Sequence, residues 1–586
     1  MLFPQSNRCR SARTLDGYWD FQTDPTQSGW KENWEKGLPA SGVIAVPASW
    51  NEQRSDLYHE HGWGWYQLDF ELSEEEMRRA VILHFDSVQY TAQVYVNGQK
   101  AGVNTMPYLP FEMDISAMAH VGRNRLCVAV NGTPEEDEPI GDGDFYRFSG
   151  IHRSVHLCFL PETRIDSLKV KTSASGEALI CAWIAGDAAD IRLTAEIDGV
   201  TTELQNENGI WSGKMNVPDV KLWSPETPCL YELTVNVMRD GKTVDQYTQK
   251  VGFRDIAVSG RDILLNGKKI VLRGFGKHED FPVLGKGVCA ALNVRDMDLM
   301  RWVGANSFRT SHYPYSEEML ELADRRGFLV ISETPFVALK EQHFTSPVVC
   351  QKAKDCLKRL IERDRNHPSV LSFSMGNECQ SDSPHAETFF LPLIELARQM
   401  DDRPVTYVAW TKPEEDKVYP HVDIVGLNRY YGWYGYECWQ GSAKPGDLTQ
   451  ALRQFEECLE IFEKQYTQPL LVSEFGADTI AGFHSTFMLQ FTEEFQTRFL
   501  CEYLKIMERH PAVAGMHIWN FADFATEQSP GRALGNRKGL FTRTREPKQA
   551  AFAVRRMWTG EDADGLMDRG ARNTSRKADF VIPGMG

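Results

Sequence analysis

Two glutamates stand where a buried strand would end. Glu378 follows the apolar run Val370-Leu-Ser-Phe-Ser-Met-Gly376 and Asn377, and Glu474 follows Pro469-Leu-Leu-Val-Ser473. They are 96 residues apart, close to three of the roughly 31-residue repeats of an eight-fold β/α barrel. That spacing assigns them to strands four and seven, whose side chains can lean across one barrel mouth toward each other. Two carboxyl groups about 5–5.5 Å apart are the equipment of a retaining glycosidase, one as nucleophile and one as acid/base. The acid needs a raised pKa, from partial burial and a neighbouring carboxylate. The nucleophile must be held ionised by donors, and Tyr430 is a candidate for one. Asn377 can bond a substrate hydroxyl near the reacting carbon. By spacing alone, the two glutamates could equally sit in separate salt bridges.

The elements that would position them follow from the pattern after residue 260. Eight strand candidates begin near Val271, Ser307, Leu329, Val370, Val405, Asp423, Leu470 and Ala514. Amphipathic helices alternate with them. Ser316 can cap a helix with Met319, Leu320, Leu322 and Ala323 on one face, and Gly327 can end it. A second stripe, Val349, Ala353, Cys356, Leu357, Leu360 and Ile361, stops before Pro368. We therefore expect a (β/α)8 TIM barrel over residues 259–560, with chemistry at the C-terminal strand ends. Those ends are polar: Lys277-His278-Glu279-Asp280, Arg309-Thr310-Ser311-His312, Glu333, Asn377-Glu378, Asn428, Glu474 and Trp519-Asn520. A ring of such residues around one rim is harder to explain structurally than any single one.

Before the barrel the rhythm is that of strands. Ala92-Gln-Val-Tyr-Val96 runs into Asn97-Gly98, a hairpin signal, and Leu126–Val130 and Ser154–Cys158 continue the alternation. Residues 1–162 are expected to form a jelly-roll β-sandwich. Residues 163–258 carry Ile191–Ile197 before Asp198-Gly199 and Tyr231–Val237 before Asp240-Gly241, which fits a smaller immunoglobulin-like β-sandwich. Residues 561–586 form a polar tail without clear periodicity.

Composition narrows the function classes. The 586-residue chain carries a formal net charge of −17, which argues against binding a phosphate backbone. No apolar run reaches the roughly 18 residues of a membrane span, and the first ten residues lack an apolar h-region, so we expect a cytoplasmic protein without a membrane partner. The twelve cysteines contain no CxxC pair and are expected to be reduced thiols. His278-Glu279-Asp280 lacks HExxH spacing, and no Gly-rich phosphate fingerprint follows the first barrel strand. Neither a metal nor any other cofactor is expected to be required.

Three motifs together carry a resemblance: Asn306-Ser-Phe-Arg-Thr-Ser-His-Tyr-Pro314, Asn366-His-Pro-Ser369 with Asn377-Glu378, and Ser473-Glu-Phe-Gly476. With the three-part order, over residues 14–560, the chain resembles glycoside hydrolase family 2. Asn428-Arg-Tyr-Tyr-Gly-Trp-Tyr434, Trp519-Asn-Phe-Ala-Asp-Phe524 and Gly535-Asn-Arg-Lys-Gly539 look, within it, like the bacterial-type β-glucuronidases. The resemblance implies Glu378 as acid/base, Glu474 as nucleophile and small-molecule glucuronides as substrates. It implies sugar contacts from Asp144, His312, Asn428, Tyr434, Trp519 and Arg532. It also implies that Asn536 and Lys538 read the sugar carboxylate, which needs donors and a compensating charge. Read alone, Arg532, Arg537 and Lys538 would be an ordinary solvated basic cluster. A homo-oligomer, often a tetramer in the family, is implied too. A β-galacturonidase differs only at the C4 hydroxyl and stays open, as does a non-catalytic sugar-binding protein on an inherited barrel. The chain departs from the family at Cys379, where Pro is frequent, and in a short segment 337–349 that suggests an open mouth.

Overall fold

The computed structural model describes residues 1–39, 41–434 and 446–561; the expected tail from 562 onward lies outside them. The first unit packs two antiparallel sheets. One runs Ser11–Thr14, Val155–Leu160, Ala80–Phe85, Phe111–Asp114; the other runs Gly42–Val46, Gly17–Thr23, Trp63–Leu72, Gly122–Asn131, Thr91–Val96, Gln99–Asn104. Alternating residues such as Trp19, Tyr66, Leu83, Val128 and Leu157 point inward to one core, the period-2 pattern of strands buried on one face. The Asn97-Gly98 turn has both residues at positive φ, 52° and 76°, as a tight hairpin of this type requires.

The second unit has seven antiparallel strands from Arg164–Thr172 to Lys242–Val251 around Ile165, Ala182, Leu193, Val235 and Tyr247. A three-stranded sheet, Ile256–Ser259, Asp262–Leu265 and Lys268–Ile270, then leads to the barrel. Its Ile263 packs with Leu272, Leu329, Leu371, Ile424 and Leu471, closing the barrel floor with an apolar plug.

Eight parallel strands close the barrel in sequence order: Leu272–Gly276, Ser307–Arg309, Leu329–Glu333, Val370–Asn377, Val405–Ala409, Ile424–Asn428, Leu470–Glu474 and Val513–Ile518. All eight expected strands are present, so Glu378 leaves the fourth and Glu474 ends the seventh. The helix Glu317–Arg326 begins as the sequence indicates: the Ser316 hydroxyl accepts from Met319 N, and Gly327 ends it at φ 68°. The helix Pro347–Asp364 buries the stripe from Val349 to Ile361. Between the fifth and sixth strands there is no α-helix, only a turn of 3-10 helix at Tyr419–His421. Among the described residues every cysteine is a free thiol, and no helix is long and apolar enough to cross a membrane.

Candidate active site

A cavity of about 610 Å³ opens at the C-terminal rim and is lined by Glu378 and Glu474. Asp144, His312, Asn377, Tyr430, Tyr434, Trp519 and Arg532 line it too, so most of the residues expected from the sequence share one wall. Gly276 and Gly476 permit this crowding. A Cβ on Gly276 would lie 2.5 Å from the Trp519 ring, and one on Gly476 would lie 1.9 Å from the Trp519 carbonyl. His312 stacks on Trp519, with ring centroids 5.0 Å apart.

The two glutamates have different surroundings. Glu474 accepts from Arg309 Nη2 at 2.5 Å and from the Tyr430 hydroxyl at 2.7 Å. Glu378 accepts one bond, from the neutral amide of Asn428 at 2.8 Å. Its backbone is left-handed, φ 51°, an uncommon state for a non-glycine residue. It turns the chain off the strand end at the cavity.

Burial raises both carboxyl pKa values. On Glu474 the touching guanidinium opposes it, while the Glu378 charge adds to the rise. On Glu378 the chief opposition is one amide hydrogen bond. When two such groups share a proton, it resides on the one without a cationic contact. Of the two, Glu378 is the one with no cation in contact, which suits it to hold the proton.

Arg309 and Glu333 matter more than their place in the rim suggested. Arg309 is fully buried, and its Nη1 is 2.8 Å from each Glu333 oxygen. Glu333 also meets His312 Nδ1 at 3.0 Å and accepts from the Ser374 hydroxyl at 2.8 Å. Glu333 thus fixes one end of Arg309, and Arg309 fixes Glu474. The sequence signal was the pair of charges ending adjacent strands two and three, where one must answer the other once buried. Asn428 is held similarly, its Oδ1 accepting from Ser473 Oγ at 2.9 Å. Asn377 Oδ1 accepts from Arg309 and Asn428 at 3.3 and 3.2 Å, which leaves its N–H pair for the cavity.

Asn536 and Lys538 stand behind the cavity wall rather than on it. Lys538 is 0% exposed, and its Nζ lies 4.9 Å from the Tyr434 ring centre and 5.8 Å from that of Tyr430. It is no solvated surface lysine. Its ammonium is ion-paired with Asp478 at 2.5 Å. Burial works against that charge, but Asp478 more than restores it, and the lysine in turn holds Asp478 below the ordinary carboxylate range. Sequence reasoning missed Asp478, although it lies four residues past Glu474. Arg532 joins the cluster: it pairs with Asp144 at 2.7 Å, donates to Tyr434 at 2.8 Å and lies 3.6 Å from Asp478. Asn536 Nδ2 donates to Asp144 at 3.1 Å.

Asp144 comes from the first sandwich. Its loop is clamped by Gly141 N donating to Val337 O at 2.9 Å and by Tyr146 N donating to Ala525 O at 2.8 Å. Val337, Ala338, Trp410, Asp142 and Gly143 complete the lining, so the short segment 337–349 contributes part of the mouth itself. Cys379 is 2% exposed, with its Sγ 3.4 Å from the Phe336 carbonyl, and burial pushes its thiol up to about 12. It is a buried, unreactive thiol at neutral pH.

Among the described residues no group of His, Cys, Asp and Glu is arranged to hold a metal.

Comparison with known proteins gives the same three-part division. The sugar binding domain of glycosyl hydrolases family 2 matches residues 12–161, a second domain of that family matches 163–254, and its TIM barrel domain matches 256–561. The chain is 36% identical to a β-glucuronidase of Paenibacillus borealis, covering 95% of this chain and 98% of that protein. It is 37% identical to the β-glucuronidase of Homo sapiens, over 95% and 92%. Among solved structures, a Ruminococcus gnavus β-glucuronidase in complex with uronic isofagomine superposes with TM-score 0.88 at 32% identity, over 95% of this chain and 99% of that one. A Bifidobacterium dentium β-glucuronidase complexed with coumarin-3-O-glucuronide gives 0.89 at 33%, over 96% and 99%. With two glutamates converging on one barrel mouth and all three domains matched in order, the chain belongs to glycosyl hydrolases family 2.

Proposed function

We propose that this chain hydrolyses β-D-glucuronides to glucuronate and the aglycone, with retention at the anomeric carbon. Glu474 attacks that carbon and forms a covalent glycosyl ester, while Glu378 gives its proton to the leaving oxygen. Glu378, now ionised, takes a proton from water, whose oxygen displaces Glu474 and restores both groups. Arg309 and Tyr430 hold the attacking oxygens, and Asn428 and Asn377 orient the acid and the sugar hydroxyl beside it. No metal or other cofactor enters the reaction. The chemistry is completed by the two carboxyl groups, and activity should survive chelation. Free thiols fit a cytoplasmic setting. The family likeness favours a homo-oligomer.

One observation carries the sugar-acid reading: a buried ammonium, Lys538, with Asn536 and Arg532 beside it, directly behind Tyr434. Asp478 already pairs that ammonium; a neutral hexoside makes no use of it, whereas a C6 carboxylate can share it. The relatives named above are β-glucuronidases throughout, which favours the gluco over the galacto configuration.

The decisive assay is a panel of aryl glycosides differing only at C4 and C6. The β-glucuronide is expected to be hydrolysed fastest, and preference for the galacturonide would move the assignment to that epimer. Glu378→Ala should cut turnover by about 10²–10⁴-fold, less for leaving groups that need no proton, and Glu474→Ala should cut it further. Near-normal turnover in either variant would refute these two catalytic roles. A chain that binds glucuronides but never turns them over would be a binding protein.

A further inference from the structure

We propose that the cleft between the second sandwich and the N-terminal rim of the barrel binds a small oxyanion, a phosphate ester or a polycarboxylate. The cleft holds about 400 Å³ and is lined by six cationic and three acidic side chains, although the chain as a whole carries −17. It lies at the opposite end of the barrel from Glu378 and Glu474. Its barrel residues Arg365, Asn366 and Pro368 precede strand four, and Asp401–Arg403 precede strand five.

The acids are already engaged. Asp402 pairs with Lys171 at 2.7 Å, Asp401 pairs with Arg403 at 3.0 Å, and Asp255 accepts from Ala174 N at 3.0 Å. Three cations remain without a carboxylate partner among the described residues. Arg254 donates to the carbonyls of Pro368 at 2.8 Å and Val370 at 3.3 Å. Lys169 donates to the Met400 carbonyl at 2.7 Å, and Arg365 to Ser167 Oγ and the Leu168 carbonyl at 3.0 and 3.2 Å.

Arg254 is only 8% exposed. Burial and the neighbouring Arg403 both act against its charge. Asp401, Asp402 and Asp324 offset this in part, but the direct contacts of the guanidinium are carbonyl oxygens, and a buried cation without a carboxylate in contact is costly. An oxyanion in the cleft would relieve that cost, because a guanidinium fork and an ammonium match its oxygens in geometry and charge. The ligand would bridge Lys169 and Arg254 of the second domain to Arg365 of the barrel, tying two domains together. This inference is independent of the reaction assigned to the other end.

The test uses the full-length protein with inorganic phosphate and with citrate, each compared with chloride at matched ionic strength, by titration calorimetry and thermal unfolding. One saturable site per chain and a rise in Tm are expected for at least one of the two. Phosphate alone would mark a phosphate ester, citrate alone a polycarboxylate, and either supports the site. Lys169→Gln and Arg254→Gln should each weaken binding by about tenfold or more, the worth of a charge-assisted hydrogen bond. Lys538→Met should leave it intact. If Arg254→Gln does not fold, Lys169→Gln and Arg254→Lys carry the test. Absence of saturable binding, unchanged affinity in the cleft variants, or loss of binding in a Lys538→Met protein that unfolds cooperatively like the parent would overturn the proposal.

Discussion

At the C-terminal rim of the barrel, Arg309 faces Glu333 and Glu474, Lys538 faces Asp478, and Arg532 faces Asp144. At the N-terminal rim, Arg254, Arg365 and Lys169 face backbone carbonyls. The same barrel thus carries closed charge circuits at one end and an excess of positive charge at the other. A closed circuit fixes side-chain positions before substrate arrives, which is what a reaction centre needs. It also means that a sugar carboxylate reaching Lys538 must share that ammonium with Asp478. The seam has no such prior occupant.

The comparison breaks most readily at Arg309. Arg309→Met takes the guanidinium from two buried carboxylates, Glu333 and Glu474, and should cost about 3–5 kcal/mol of stability, read by denaturant unfolding. In whatever folds, the Glu474 carboxyl rises further, because its main counter-charge has gone. In the proposed reaction Glu474 must be ionised to attack, so the acidic limb of the kcat profile should move to higher pH. An unmoved limb would disconnect Arg309 from the nucleophile.

Next in size is Lys538→Met. Loss of one charged contact of about 1.5–3 kcal/mol predicts a fall of roughly 10–150-fold in kcat/KM for an aryl glucuronide, with trace glucosidase activity little changed. An equal fall on both substrates would mean that Lys538 supports the wall without reading the carboxylate.

The intact enzyme should show a bell-shaped profile. Burial raises Glu378, and as the proposed acid it works only while protonated, so activity is lost as pH rises through that elevated value. Removing the Asn428 amide, which favours the ionised form, should move this basic limb higher still. A basic limb unaffected by Asn428→Ala would assign it to another group.

Asp144→Asn should weaken the strap from the first sandwich to Arg532. Asp144 is about half exposed, so the ion pair itself is worth about 1 kcal/mol or less. A few-fold rise in KM with kcat nearly kept is the expected result; unchanged KM would make the strap structural only. Smallest of all, Lys169→Gln at the far rim should leave kcat and KM on glucuronides unchanged, and iodoacetamide should not inactivate through the buried Cys379.

Much of this was legible in the residues. The eight barrel strands, the Ser316 and Gly327 helix ends and the Asn97-Gly98 turn depend on local periodicity and backbone preference, which neighbouring residues carry. Glu378 and Glu474 were visible as carboxylates ending apolar strands, as Glu333 was, and it was the family motifs that singled out this pair. Arg309 and Glu333 were visible as rim residues, but not their contact: no spacing rule says which of two adjacent strand ends supplies the counter-charge to a third. Asp478 gave no signal of its own, since an acid in a loop is ordinary until a buried lysine is found against it. The sequence also could not place Lys538 behind Tyr434 rather than on the cavity surface.

What the chain determined alone was its division into two sandwiches and a barrel, and which strand ends carry acids, because hydrophobic period and turn chemistry are local. Which carboxyl has a cation against it was decided by tertiary structure, since a guanidinium 165 residues away reaches Glu474 and not Glu378. The same holds for the Lys538 pairing and for the unanswered charge at the seam. Electrostatic energy acts through space between groups that only folding brings together.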